Sequence, residues 1–210
     1  MKVNEIFYSI EGEGIRAGMP CTFIRLFGCN LNCSYCDTRY ACEGEDFKYM
    51  SIAEILDEVK RIGCPNVTVT GGEPLMHNGI RSLLLSLASE GYKVNVETNG
   101  SFIPEVDNVI YTIDFKTKSS GMSEYMKLDA FKSLDKNDVI KFVVGSQEDL
   151  DQALSFVKKN DIKAQVYISP IFGKIELVDI ANFLMENKLH NWRMQLQMHK
   201  YIWNPETRGV

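Results

Sequence analysis

The sequence TFIRLFGCNLNCSYCDT, residues 22–38, joins a β-branched and aromatic run to a loop that contains three cysteines. The composition of residues 22–27 predicts a short β-strand. Cys29, Cys33 and Cys36 follow this strand in a C-x3-C-x2-C spacing, and the residues between them include turn formers. A tight loop of this kind can aim three sulfur atoms at one point. The stretch therefore predicts a thiolate site at the end of a strand.

Strand-like and helix-like segments alternate along the remainder of the chain. Runs of β-branched and aromatic residues predict strands at 66–70, 92–97, 109–114, 139–144, 164–169 and 194–198. Helical periodicity predicts helices at 51–62, 79–90, 147–159 and around 177–187. The first of these helices has a marked start, because Ser51 and Glu54 form a capping-box pattern.

This alternation predicts an α/β fold built from βαβ units around a parallel sheet. The 210 residues are few for a closed eight-stranded barrel, which usually takes about 250. We therefore expect an incomplete TIM-like β/α barrel of about six to seven mostly parallel strands. One domain, residues 1–210, is expected to form it, with residues 1–50 integrated into the barrel. A doubly wound sheet is the alternative, and in both folds the site lies at the carboxyl ends of the strands.

Composition and charge argue against some classes of function. The chain is 45% hydrophobic and 24% charged, which is ordinary for a globular protein. Its net charge of -5 lacks the basic footprint of a nucleic-acid-binding protein. No apolar run approaches the roughly 18 residues that span a bilayer, and the N-terminus lacks the pattern of a secretory signal. We therefore expect a cytoplasmic protein that binds neither nucleic acid nor membrane.

All six cysteines lie in the first third of the chain, unlike those of a secreted disulfide scaffold. Cys21 and Cys64 lie in or beside apolar stretches and are expected to be small buried residues. The three-cysteine loop leaves two alternatives open. One is structural zinc, with Cys42 or a distant histidine as the fourth ligand, although no second C-x2-C pair is present. The other is a four-iron cluster in which one iron has no protein ligand.

The C-x3-C-x2-C loop after the first strand resembles the signature of the radical S-adenosylmethionine (SAM) enzymes. This resemblance implies that Cys29, Cys33 and Cys36 bind a 4Fe–4S cluster. It also implies that the iron without a protein ligand binds SAM.

Two further motifs carry the same resemblance. TGGEP, at 70–74, follows a predicted strand and is similar to the segment with which this superfamily binds the amino end of SAM. It implies SAM contacts at Gly72 and Glu73. VETNG, at 96–100, is similar to the next strand end of the superfamily, with a simple turn at its Asn-Gly pair as the alternative.

A longer stretch, FYSIEGEGIRAGMPCTFIRLFGCNLNCSYCDT at 7–38, resembles one family within this superfamily, the 7-carboxy-7-deazaguanine synthases. The resemblance implies conversion of 6-carboxy-5,6,7,8-tetrahydropterin to 7-carboxy-7-deazaguanine with loss of ammonia, in queuosine and deazapurine biosynthesis. The implied cofactors are a 4Fe–4S cluster, SAM and Mg²⁺. The implied partners are an electron donor such as flavodoxin or ferredoxin and a second copy of the chain in a homodimer.

The family resemblance also assigns the substrate pocket. It implies pterin contacts at Ile10, Glu11, Gly12, Arg25 and Thr70, with the Arg25 guanidinium on the substrate carboxylate. Glu11 stands where the family usually has glutamine, and a carboxylate accepts hydrogen bonds without donating any. For Arg25 the alternative is a structural ion pair, because an inward-facing charge on a strand is rarely left unpaired.

Residues are assigned to the cofactors in the same way. Thr38 is the implied Mg²⁺ ligand, with an ordinary turn at Asp37 and Thr38 as the alternative. Asp114 and Phe115 replace a Ser-Pro pair of the family, which leaves the role of Asp114 open. The implied SAM contacts are Tyr35, Cys36, Asp37, Gly72, Glu73, Lys116, Ser169, Pro170, Ile171, Phe172 and Gln197.

Two other functions remain open at this point. A radical SAM activating enzyme, which places a glycyl radical on a partner protein, would share the cysteine loop and the GGEP motif. The pterin-type N-terminal stretch argues against it. A zinc-stabilised binding module would use the same cysteines to hold its fold together.

Overall fold

Nine β-strands form a single sheet in the computed structural model, which describes residues 1–205 and 207–210. The strands are β1 (Lys2–Ile10), β2 (Pro20–Leu26), β3 (Lys48–Tyr49), β4 (Asn66–Gly71), β5 (Lys93–Thr98), β6 (Ile110–Lys116), β7 (Val139–Val144), β8 (Gln165–Pro170) and β9 (Trp192–Met194). The helices are α1 (Ile52–Ile62), α2 (Ile80–Ser89), α3 (Leu128–Lys132), α4 (Gln147–Lys159), α5 (Leu177–Glu186) and α6 (His199–Ile202). No helix of the described residues is long and apolar enough to cross a membrane.

The strand order of the sheet is β3-β1-β2-β4-β5-β6-β7-β8-β9. From β2 through β4 to β9, every neighbouring pair is parallel, and the order follows the chain without reversal. A doubly wound sheet reverses its strand order at a switch point. That alternative is therefore excluded, and the expected incomplete TIM-like barrel is confirmed.

Two antiparallel strands at one edge of the sheet were not predicted. β1 pairs with β2, and the short β3 pairs with β1. The register of β1 shifts between Val3 and Glu5. Such an irregularity interrupts the strict alternation of apolar and polar residues by which a half-buried strand is recognised in sequence. The charged residues of β1 obscure the signal further.

Helix α1 begins where the sequence predicts. The Glu54 backbone N donates to Ser51 Oγ (3.2 Å), and the Ser51 backbone N donates to Glu54 Oε2 (2.7 Å), which completes the capping box. The helix ends at Ile62 and is capped by Gly63, whose φ of 78° is left-handed. Ile55 and Val59 are fully buried against the sheet. Packing of this apolar face fixes the helix on the outside of the barrel.

The parallel strands separate an apolar outer layer from a polar interior. Because side chains alternate along a strand, Asp114 and Lys116 of β6 face the interior while Phe115 between them faces the helices. Phe115 packs on Phe142 (5.0 Å between ring centroids) and Phe156 (4.5 Å). Of the two residues that replace the Ser-Pro pair of the family, Phe115 therefore packs in the apolar layer between the sheet and the helices. Asp114 faces the polar interior of the barrel.

Candidate active site

A cavity of about 390 Å³ lies at the carboxyl ends of the parallel strands. The loops after β2 and β4 contribute cysteines and glycines to its wall, and the ends of β5, β6 and β7 contribute polar side chains. Residues 197–200 and the last residues of the chain close another side. This is the end of the barrel at which both motif loops were expected to meet.

The three cysteines of the loop line this cavity. Asn99 Nδ2 donates a hydrogen bond to Cys29 Sγ (3.7 Å). A hydrogen bond with the Cys42 thiol lowers the pKa of Cys29 to about 6 and the pKa of Cys36 to about 6, whereas burial raises the pKa of Cys33. The thiolate is the form that binds metal. The surroundings of Cys29 and Cys36 therefore favour the thiolate form that binds metal.

Cys42 is a fourth thiol beside this set, whereas Cys21 and Cys64 are buried elsewhere. In the part of the chain that the structure describes, no group of three or more His, Cys, Asp or Glu side chains is arranged to hold a metal ion. A 4Fe–4S cluster places each thiolate on a different iron, so its ligands need not converge on one centre. The loop cysteines around an open cavity fit such a cluster.

The GGEP segment touches the backbone of the cysteine loop. The Gly72 backbone N donates to Leu26 O (3.1 Å), and the Glu73 backbone N donates to Gly28 O (2.9 Å). A Cβ on Gly72 would lie 2.0 Å from Gly28 O and 2.9 Å from the Cys29 backbone N. Only glycine allows this approach, so Gly72 lines the cavity directly beside the thiolates.

The side chain of Glu73 lies behind the cavity wall and does not line it. Its Oε1 accepts from Thr98 Oγ1 (2.6 Å) and the Leu75 backbone N (2.9 Å), and its Oε2 accepts from the Asn99 backbone N (2.7 Å). Burial raises the pKa of Glu73 to about 7. The carboxylate joins the loop after β4 to the end of β5. Its predicted contact with SAM stays a prediction, and Gly72 is the member of the pair that the cavity exposes.

Arg25 lines the cavity, and one edge of its guanidinium is already hydrogen-bonded within the protein. Its Nε donates to Glu5 Oε1 (2.8 Å), which also accepts from the Tyr40 hydroxyl (3.1 Å). The guanidinium lies over the rings of Phe7 (5.4 Å) and Tyr40 (5.7 Å). Within the described residues its Nη atoms have no hydrogen-bond partner. The ion-pair reading and the ligand reading of Arg25 are therefore compatible, because they use different edges of the group.

Glu11 is buried, although it also lines the cavity. Its Oε2 accepts a hydrogen bond from Thr68 Oγ1 and lies 3.6 Å from Arg16 Nη2. Burial raises the pKa of Glu11. Ile10, Gly12 and Thr70, the other predicted pterin contacts, line the same cavity.

A buried network of charges in the barrel interior was missed in the sequence. Lys141 Nζ lies 3.3 Å from Glu13 Oε2, 3.6 Å from Glu97 Oε2 and 3.1 Å from Asp114 Oδ1. Lys116 Nζ lies 3.0 Å from Asp114 Oδ2. Burial raises the pKa of Glu97 to about 7. Although burial opposes it, the two ammonium groups hold the pKa of Asp114 below its usual value. Asp114 therefore connects the predicted SAM lysine to Lys141 of the neighbouring strand β7.

One signal in the sequence points to part of this network. Lys141 is a lone charge in the apolar run VIKFVV, and Glu97 follows VNV at an inward position. A charge on a strand buried on both faces must have a partner. The sequence does not show that Glu13 and Asp114 are partners of Lys141, because Glu13 lies in a loop and Asp114 in another strand.

Residues 197–200 bring further polar groups to the predicted cofactor segment. Lys200 Nζ lies 3.0 Å from Asp37 Oδ2, and Gln197 Nε2 lies 3.4 Å from the same oxygen. Although partial desolvation in the cavity opposes it, Lys200 holds the pKa of Asp37 below its usual value. Thr38 lines the cavity with its Oγ1 3.9 Å from Cys36 Sγ. Asp37 and Thr38 are thus part of the cavity wall.

The remaining predicted SAM residues divide into two groups. Tyr35, Ile171 and Phe172 line the cavity, and the buried Tyr35 hydroxyl has no hydrogen-bond partner among the described residues. Ser169 and Pro170, at the end of β8, do not line it. The side chain of Ser169 is fully buried, so its contact with SAM stays a prediction.

Comparisons with known proteins agree with this arrangement. The family model of the radical SAM superfamily matches residues 23–110. A 7-carboxy-7-deazaguanine synthase of Clostridium acetobutylicum is 47% identical over 100% of this chain and 99% of that protein. One of Chlorobaculum tepidum is 41% identical over 100% of this chain and 97% of that protein.

Solved structures share the fold. QueE from Escherichia coli superposes with a TM-score of 0.78 at 24% identity, covering 94% of both chains. SuiB from Streptococcus suis, bound to the precursor peptide SuiA, has a TM-score of 0.61 at 18% identity, covering 82% of this chain and 48% of that chain.

Proposed function

The chain belongs to the 7-carboxy-7-deazaguanine synthase family of radical SAM enzymes, and we propose that it catalyses the reaction of that family. It converts 6-carboxy-5,6,7,8-tetrahydropterin to 7-carboxy-7-deazaguanine and ammonia, a step toward queuosine and related deazapurines. One observation carries the proposal: a single cavity contains both the three-cysteine loop and the free edge of Arg25. Ammonia is the only other product, so the reaction needs no net oxidant.

Cys29, Cys33 and Cys36 would hold the 4Fe–4S cluster, and Gly72 would face SAM beside it. Tyr35, Lys116, Ile171 and Phe172 line the same cavity and would also contact SAM. When bound, the cluster and SAM supply one-electron cleavage of a sulfonium and abstraction of a hydrogen atom from the substrate. The chain binds and orients both molecules in a cavity whose walls limit the access of water.

Arg25 would bind the substrate carboxylate. A guanidinium offers a planar pair of N–H donors to a carboxylate, and Arg25 lines the cavity with Nη atoms that have no hydrogen-bond partner in the described residues. Among the other cavity-lining groups, Glu13 Oε1 is buried without a hydrogen-bond partner in the described residues. Together with Glu11 and Glu97 it could accept from the N–H groups of the pterin ring. An anion-binding wall and an acceptor-rich wall match the two ends of this substrate.

We further propose Mg²⁺ at Thr38. The ion prefers oxygen ligands, keeps several waters and often binds through one or two protein groups plus the substrate. Thr38→Ala should weaken the dependence of activity on Mg²⁺ while leaving the iron content unchanged. A variant that keeps the full Mg²⁺ response would remove this assignment.

An external electron donor such as flavodoxin or ferredoxin, a homodimeric assembly and a cytoplasmic location complete the proposal. The donor is needed because the cluster must be in its reduced state before the sulfonium can be cleaved, although the overall reaction is redox-neutral. Within the described residues all six cysteines are free thiols, which suits a reducing compartment.

An anaerobic assay tests the activity. Reconstituted protein, reductant, SAM, Mg²⁺ and the carboxytetrahydropterin should yield the deazapurine, detected by its ultraviolet spectrum. Cys33→Ala should lose iron and activity but keep its fold, whereas Cys42→Ala should keep its iron. Zinc without iron, with Cys33→Ala unfolded, would instead support the zinc-stabilised module. Radical transfer to a partner protein without pterin turnover would support the activating enzyme.

A further inference from the structure

Asn99 reaches the thiolate site from the loop after β5, where sequence alone left a simple turn as the alternative. The residue is 5% exposed. Its Nδ2 donates to Cys29 Sγ (3.7 Å) and to Asn30 Oδ1 (3.1 Å). The amide thus binds both a predicted cluster ligand and the residue that follows it in the chain.

The orientation of this amide is determined by its surroundings. Asn99 Oδ1 accepts from the Ser101 backbone N (3.0 Å) and from Ser101 Oγ (2.6 Å). A backbone N–H can only donate, so the atom opposite it must be the oxygen. The NH₂ group therefore faces sulfur. Asn30 Nδ2 also donates to Ser101 Oγ (2.9 Å), which closes the ring of hydrogen bonds around the amide.

The donors around the three ligand sulfurs are distributed unevenly. Cys29 Sγ accepts from the Leu31 backbone N (3.4 Å) as well as from Asn99. Cys36 Sγ lies 3.9 Å from Thr38 Oγ1. Among the described residues no hydrogen bond reaches the sulfur of Cys33. Asn99 is thus the one side-chain amide of the described residues that is aimed at a ligand sulfur.

We propose that Asn99 is a positioning residue that raises the reduction potential of the cluster through Cys29. Hydrogen bonds to the ligand sulfurs are among the factors that set the potential of an iron–sulfur cluster. A donor stabilises the reduced form more, because reduction places additional negative charge on the sulfurs. This inference rests on the proposed function, because it requires that the loop cysteines bind the cluster.

The test is the midpoint potential of the reconstituted holoenzyme, measured by an anaerobic redox titration followed by electron paramagnetic resonance. Asn99→Asp keeps the oxygen that accepts from Ser101 but removes the N–H donor to sulfur. Asn99→Ala removes the donor without adding charge. Asn30→Asp is the charge-matched control, because it adds a carboxylate beside Cys29 and leaves the Asn99 amide in place.

We expect the potentials of Asn99→Asp and Asn99→Ala to shift to more negative values, with Asn99→Asp shifted further than Asn30→Asp. Iron content should stay at the wild-type level in every variant that is compared. Potentials of both Asn99 variants equal to that of the wild type would overturn the inference. So would equal shifts in Asn99→Asp and Asn30→Asp with none in Asn99→Ala. A wild-type protein that binds no cluster would instead contradict the proposed function.

Discussion

The guanidinium of Arg25 combines two roles that sequence presented as alternatives. Glu5 holds its Nε edge at 2.8 Å, and two aromatic rings lie within 5.7 Å of its central carbon. Burying a charge is costly unless it is paired, so Glu5 stabilises the arginine inside the wall. The other edge stays available for an anionic ligand. The ion pair and the rings orient the group in advance, which lowers the entropy lost on binding.

Arg25→Gln should therefore weaken the binding of a carboxylated pterin much more than that of a pterin without a carboxylate. Hydrogen bonds to charged groups contribute about 1.5–3 kcal/mol, which corresponds to a loss of about 10- to 150-fold. Equilibrium binding measured by ligand fluorescence checks this. Arg193→Gln is the matched control, because Arg193 also lies over a ring, Tyr167 at 5.4 Å, but does not line the cavity. Equal losses for both ligands would contradict the role of Arg25.

At the scale of elements, the loops after β2 and β4 form one unit. The hydrogen bonds of the parallel pair continue past the strand ends into the Gly-Gly segment. A Cβ on Gly72 would lie 2.0 Å from Gly28 O, against backbone that has little freedom to move. The loop that carries the cysteines therefore depends on a glycine more than 35 residues away in sequence.

Gly72→Ala should separate the two loops and lower the iron content after reconstitution to a small fraction of the wild-type value. Gly91→Ala is the control, because Gly91 has a left-handed φ of 87° but open space around it. That variant should lose about 1–2 kcal/mol of stability and keep its iron. Iron analysis and thermal unfolding check both results. Full iron loading of Gly72→Ala would show that the close approach is not required.

The carboxylate of Glu73 makes the connection between β4 and β5 sensitive to pH. Its pKa in the folded protein is about 7, against an ordinary value of 4.5, so the folded state binds a proton that the unfolded state releases between these pH values. The contribution of Glu73 to the free energy of unfolding therefore falls as pH rises from 4.5 through 7.

Glu73→Gln removes this titration. Between pH 5 and pH 8, wild-type stability should fall relative to that of the variant by up to about 3 kcal/mol. Urea unfolding of both cluster-free proteins across this range measures the difference. A difference that stays constant with pH would mean that Glu73 does not carry a proton in the folded protein.

At the scale of the whole molecule, the ligand cavity is built from nearly every parallel strand. The cysteine loop follows β2, Gly72 follows β4, Asn99 follows β5 and Lys116 ends β6. A group bound there touches segments that are brought together only by the fold, so it binds the native state in preference to the unfolded chain. Such binding raises apparent stability by mass action.

The cluster-loaded protein should therefore unfold several degrees higher than the cluster-free protein. For a chain of this size each kcal/mol corresponds to about 2–4 °C. Anaerobic calorimetry before and after chelation of the iron measures the shift. Cys33→Ala should show no shift under the same treatment. Identical unfolding temperatures of the cluster-loaded and cluster-free wild type would indicate that the three cysteines do not bind one common cluster.

Much of this molecule could be predicted from sequence because the relevant signals are local. The capping box of α1 lies within four residues, and the cysteine loop lies within eight. Seven parallel strands follow from alternating segments, because a βαβ crossover has a preferred hand. The family resemblance identified most of the proposed site residues, and in the structure most of these residues line one cavity.

Other properties were decided only by the tertiary structure, because they depend on partners that are distant in the chain. Glu73 became a buried connection to β5 when Thr98 and Asn99 met its carboxylate. Asp114, a departure from the family pattern, is held between Lys116 and a lysine from the next strand. Sequence determined which segments carry the chemistry. Packing decided which edge of each side chain is left free to perform it.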